Sequence, residues 1–196
     1  MLRSGSLGVQ ISVFYILEYR MARSAPFLKP QDLLVVLGIH ALRAEVWTFA
    51  SLAAALNDSP SQLHYAARRA ATSSLLSEDL RKPRYGQLLR FLDGGVRFAF
   101  PAEPGPLARG IPTAASAQPL RKHLAVSPDG EFVWAHPEGP LMGQAIVPLY
   151  ETVPAAALQR PELHELLGLV DALRLGAVRV HEFAMRELRT RLDATA

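Results

Sequence analysis

The residues of this 196-residue chain best equipped for chemistry lie between Ser59 and Arg84. Ser59 and Ser61 put hydroxyls where a helix would start, a place where unpaired backbone N–H groups and the positive end of the helix dipole favour a phosphate. Gln62 carries the amide that matches an adenine edge, and His64, Tyr65 and Arg68 could reach bases or backbone from the same helix. Arg68, Arg69, Arg81, Lys82 and Arg84 are cations of the kind that meet a phosphate backbone. Residues 60–97 hold seven Lys or Arg against three Asp or Glu, although the whole chain has a net charge of only +3. A basic segment of this kind is either a surface for a polyanion or an ordinary solvated helix face.

Other chemistries find no support. There is no cysteine, which removes disulfides, thiolate metal sites and a cysteine nucleophile, and which suits a cytoplasmic setting. The six histidines, His40, His64, His123, His136, His164 and His181, include no pair at ligand spacing on one helix. His164 and Glu165 are neighbours, but adjacent side chains on a helix point about 100° apart. No phosphate loop, dinucleotide fingerprint or serine elbow occurs, and the carboxylates are scattered. The expectation is therefore a chain that is not an enzyme and holds no cofactor and no metal.

The elements that would position these residues follow from periodicity and punctuation. Residues 9–17 alternate like a short strand and fall far below the roughly 20 apolar residues that cross a bilayer. Residues 1–20 are either an added arm or an extension upstream of a start at Met21. From Gln31 to Arg43 a mostly apolar helix follows Pro30. Thr48 can cap a helix carrying Phe49, Leu52, Ala53 and Leu56, and Asn57-Asp58 supplies a turn. Ser59 caps a third helix with Pro60 in its first turn, where the missing N–H costs little. On that helix Leu63, Ala66, Ala67 and Ala70 form one apolar seam. A shorter helix through Leu88 and Leu92 is expected to stop at Gly94-Gly95. Val96–Phe100 is expected as a strand, with Ile111–Ala114 returning as its partner beyond a proline-rich tip.

Residues 49–76, with their helix, polar turn, capped second helix, Arg68-Arg69 and terminal Leu75-Leu76, resemble the helix-turn-helix of winged bacterial transcriptional regulators, MarR-like at the level of the superfamily. Asn57 stands where glycine is common in that turn and tolerates the left-handed conformation. Ser73-Ser74 stands where Ala-Gly often precedes the paired leucines. The resemblance implies a helix over 60–72 seated in a DNA major groove, with Arg109 at the foot of the 96–114 hairpin as a wing residue.

The remainder is expected to be smaller and mixed. Residues 115–122 read as a linker. His123–Val126 and Glu131–Ala135 read as a hairpin turned by Ser127-Pro128-Asp129-Gly130. Ala145–Val147 reads as a third strand after a loop over 137–143. Helices over 162–175 and 178–193, separated by Gly176, show apolar faces with Leu166, Leu173, Phe183 and Leu188 that could pack internally or form a homodimer.

The expected fold is thus mainly α with a small β component. An extension over 1–25 precedes a winged helix-turn-helix domain over 26–114, a linker over 115–122, and an α/β region over 123–196 that ends in a helical pair. The expected function is sequence-specific binding of double-stranded DNA by a cytoplasmic transcriptional regulator. Its site residues would be Ser59, Ser61, Gln62, His64, Tyr65, Arg68, Arg69, Arg81, Lys82, Arg84 and Arg109. The alternative is an antitoxin-like module that binds a protein partner.

Overall fold

Residues 27–124 and 130–193 are described by a computed structural model; the expected strand over 9–17 and the turn at 127–129 lie outside them. Helix α1 (Pro30–Ala41) is buried from Gln31 to Ala41, as a mostly apolar helix without a polar face must be, and it takes Gln31, Asp32 and His40 inside with it. Its start is held by Asp32, whose Oδ2 accepts from the Lys29 N–H at 2.8 Å. Helix α2 (Phe49–Leu56) is capped by Thr48, which accepts from the Ser51 N–H, and it ends at Asn57 with φ 52°. Asn is among the few residues that reach this left-handed conformation at low cost, so the turn forms without glycine.

Helix α3 (Pro60–Thr72) starts at Ser59, whose hydroxyl accepts from the Gln62 N–H. Leu63, Ala66, Ala67 and Ala70 are fully buried, and this small-residue seam lets α3 lie close against α1 and α2. Ser74 then takes φ 59°, at the position where glycine is common in the resembled pattern. Residues 75–84 fold straight back on themselves. Leu76 bridges Pro83, the Ser77 N–H donates to the Lys82 carbonyl at 2.8 Å, and the Arg84 N–H donates to the Leu75 carbonyl at 2.9 Å. Buried Leu75 and Leu76 anchor this tight hairpin to the helices.

Helix α4 (Tyr85–Gly94) is followed directly by a single helical turn, α5 (Val96–Ala99), where a strand was expected. Gly95 keeps near-helical angles instead of breaking the chain. Val96 and Phe100 are four residues apart and both buried, so the pattern that resembles alternation is a helical i, i+4 pair.

The sheet contains β1 (Pro104–Pro112), β2 (Phe132–Ala135) and β3 (Leu141–Ile146). β1 pairs antiparallel with both other strands, and β2 pairs parallel with β3, so each strand touches the other two. The 96–100 and 111–114 segments therefore do not form the expected hairpin. Pro106 falls where the β1–β3 register shifts, the irregular kind of place where a missing N–H is tolerated. Gly110 permits the closure, because a Cβ there would lie 2.1 Å from the Trp134 carbonyl oxygen. β3 opens at Leu141, earlier than the expected 145. Of the expected hairpin ahead of β2, His123 and Leu124 lie in a turn, and Gly130 has a positive φ of 86°.

The expected linker over 115–122 is instead packed into the fold as two 3-10 turns, Ala114–Ser116 and Leu120–Lys122, with Ser116, Ala117 and Leu120 buried. Ser116 Oγ accepts from the Phe132 N–H at 2.8 Å, which fastens this segment to β2. An unexpected helix, α6 (Val153–Gln159), leads into α7 (Pro161–Leu175), which ends at Gly176 with φ 73°, and into α8 (Val178–Asp193). α7 is buried along most of its length and packs against α1, α5, α6 and α8.

Two charged residues inside α7 tie the helix to its surroundings. The buried Asp171 carboxylate accepts from Trp134 Nε1 at 2.6 Å, Thr113 Oγ1 at 2.9 Å and Arg174 Nη1 at 2.5 Å. Arg174 also donates to the carbonyls of Phe100 and Val147. No helix of the described residues is long and apolar enough to cross a membrane.

Candidate nucleic-acid interface

α3 has two unlike faces, and the outer one gathers five of the eleven expected site residues. Ser59, Ser61, Gln62 and Arg68 are exposed and Tyr65 retains 61% exposure, whereas the seam of Leu63, Ala66, Ala67 and Ala70 is inside. The side chains of Gln62 and Arg68 make no hydrogen bond or ion pair with any described residue. Ser61 Oγ lies 3.4 Å from Ser59 Oγ, so two hydroxyls stand together at the N-terminus of the helix. His64 is half-buried, set edge-on to the Phe49 ring with centroids 5.1 Å apart. It supports the face more than it projects from it.

Arg69 must be removed from the expected contacts. Its guanidinium turns inward, donating from Nε and Nη2 to Asp32 and from Nη2 to the Gln31 side chain at 3.2 Å. Asp32 is fully buried, and burial raises its pKa above the usual carboxylate value while the Arg69 hydrogen bonds oppose the shift. A buried carboxylate needs a partner, and Arg69, one position along from exposed Arg68, lies on the flank of the helix that reaches α1. Gln31 in turn donates to Asp58 at 2.8 Å, which fixes the α2–α3 turn to the start of α1.

The hairpin over 75–84 brings Arg81 and Lys82 beside the helices. Ser77 Oγ accepts from the backbone N–H groups of Lys82 and Arg81 at 2.9 and 3.3 Å, so a single hydroxyl shapes the tip. The Arg81 guanidinium lies 4.8 Å from the centre of the Trp47 ring and donates to the Trp47 carbonyl. Such stacking, worth about 0.5–1 kcal/mol at an exposed site, orients the cation without burying it. Trp47 meets Phe49 edge-on at 5.5 Å, so an aromatic row joins the hairpin to α3. Sequence reasoning did not assign Trp47 this role; its signal was an aromatic directly before a helix cap. Lys82 is exposed, while Arg84 is half-exposed with Nη2 3.8 Å from Glu78. Asp79 sits at the same tip, its carboxyl held below the ordinary value by the Ser77 hydroxyl and the Arg81 backbone N–H.

Arg109 also needs correction. It lies within β1 opposite Met142, and its Nη1 donates to the Gly139 carbonyl at 3.2 Å. It belongs to the three-stranded sheet and not to a wing, because the hairpin that would have carried it does not form.

The apolar residues that suggested a homodimer are largely used within the chain. Leu166, Leu173 and Leu188 are fully buried, and Phe183 stacks on His123 and lies under Arg186. No group of three or more His, Asp or Glu placed to hold a metal occurs among the described residues. No family model, curated protein or solved structure matches this chain.

Proposed function

We propose that this chain is a winged helix-turn-helix regulator that binds double-stranded DNA with α3 in the major groove and the 75–84 hairpin as its wing. The observation that carries the reading is the exposed face of Gln62, Tyr65 and Arg68, on which the Gln62 and Arg68 side chains bond to no described residue and Tyr65 meets only the His64 ring, set beside a hairpin that presents Arg81 and Lys82. The major groove of B-DNA admits one α-helix, and polar side chains near the N-terminal turn of that helix meet base edges. Ser59 and Ser61 are placed for a phosphate at the positive end of the α3 dipole. Gln62 and Tyr65 supply base contacts, and Arg68, Arg81, Lys82 and Arg84 neutralise backbone phosphate. Arg69 supports this surface from below and makes no contact of its own.

Selection of bound fragments from random duplex DNA, followed by titration of the enriched sequence, tests the reading. A recurring motif that loses affinity in Arg68→Ala is expected. Failure of the wild-type chain to retain any duplex at low salt would remove DNA from its function and favour a protein partner.

A further inference from the structure

A cavity of about 420 Å³ lies between the sheet and the C-terminal helices. Phe132 and Gln144 of the sheet, Ala114 and Ala115 of the first 3-10 turn, and Ala172 and Leu175 of α7 form its walls, with Val180 of α8 beside them. The space exists because alanine stands where larger side chains would fill the gap between sheet and helix. Protein interiors are otherwise packed to crystal-like density, and a volume of this size falls within the range of pockets that enclose small molecules.

The lining chemistry sets the class of occupant. Among the described residues no Asp, Glu, Lys, Arg or His lines the cavity, so a charged molecule would give up its hydration without gaining a counter-ion from them. Gln144 is the one polar side chain among the described lining residues, and its amide makes no hydrogen bond with any described residue. We propose that this cavity binds a neutral, mainly apolar small molecule that hydrogen-bonds to Gln144. A compact ligand of roughly 10–20 heavy atoms suits the volume. This site is separate from α3 and does not depend on DNA binding.

The full chain titrated with N-phenyl-1-naphthylamine, a neutral aromatic amine that fluoresces in apolar surroundings, tests the proposal. Saturable binding of one probe per chain is expected. Ala115→Trp fills the cavity and should abolish it. Ala177→Trp provides a second filled variant, at an exposed lining position where a large side chain does not disturb the core. Gln144→Leu keeps the shape but removes the amide and should weaken binding about fivefold. The absence of saturable binding by the wild type overturns the proposal. So does equal binding by both filled variants at an unchanged melting temperature. A probe signal that falls as protein concentration rises would make a second copy of the chain the occupant, and would also overturn it.

Discussion

The Arg69 guanidinium lies against the buried carboxylate of Asp32, donating from Nε at 3.0 and 3.1 Å and from Nη2 at 2.6 Å. The two residues are 37 positions apart and join α3 to the first turn of α1. Removing one partner leaves a buried charge uncompensated, so Arg69→Ala should cost about 3 kcal/mol in denaturant unfolding. The same variant, where still folded, should keep the wild-type salt dependence of DNA binding. A fall in the salt slope without a loss of stability would mean that Arg69 faces the ligand after all.

On the outer face the expectation reverses. Arg68→Ala and Arg81→Ala should each lower the slope of log affinity against log salt by about 0.9, since each contact releases condensed counter-ions from the duplex. Stability should hardly change in Arg68→Ala, whose side chain is exposed and bonds to no described residue, and should fall by at most about 1 kcal/mol in Arg81→Ala, which loses the stacking on Trp47. Gln62→Ala should cost about 1–3 kcal/mol on the preferred site and relax the choice of one base pair. Fluorescence anisotropy over a salt series, repeated on single-base variants of the selected site, separates the two effects.

His40 supplies a pH signature of the core. It is fully buried, with Nδ1 3.1 Å from the Tyr85 hydroxyl and Nε2 without a partner among the described residues. Burial, assisted by Arg43, pushes its pKa from 6.5 down to about 4. Between those two values the unfolded chain binds a proton that the folded chain refuses, so this contribution to stability is lost as pH falls through that window. The loss should approach roughly 3 kcal/mol at the lower end. Asp32 and Asp171, whose pKa values burial raises, act in the opposite direction, their contribution falling as pH rises from the ordinary carboxylate value. Comparing denaturant unfolding of wild type and His40→Asn across that range isolates the histidine. A constant difference between the two proteins would contradict the assignment.

Ser74 holds a left-handed φ of 59° at an exposed position between α3 and the hairpin. Glycine adopts this conformation without the clash of a Cβ, at the cost of more entropy lost on folding. Ser74→Gly should therefore raise stability by about 0.5 kcal/mol, while Ser74→Val should lower it by about 1 kcal/mol or more. Thermal unfolding of the two variants settles the sign.

The helices around the candidate site were legible because their signals are local. Thr48, Ser59 and Pro60 mark helix starts, Asn57 and Gly176 mark ends, and the spacing of Leu63, Ala66, Ala67 and Ala70 marks the buried seam of α3. These depend on hydrogen bonds and contacts within about one helical turn, which the order of residues fixes directly. The sheet was less legible. Val96 and Phe100 satisfy a strand alternation as well as a helical repeat, and only packing against α7 selected the helix.

Which cations remain outside was a tertiary decision. Arg68 and Arg69 are adjacent and chemically identical, yet one is exposed and the other satisfies Asp32. The same holds for Asp171 and Arg174, whose presence in the otherwise apolar second half of α7 signals a buried pair but does not name Trp134, Thr113 and Phe100 as the groups they bind. Charge type and helical phase belong to the sequence alone. The cost of leaving a buried charge unpaired arises only when distant elements meet, and that meeting divided the arginines between the core and the surface.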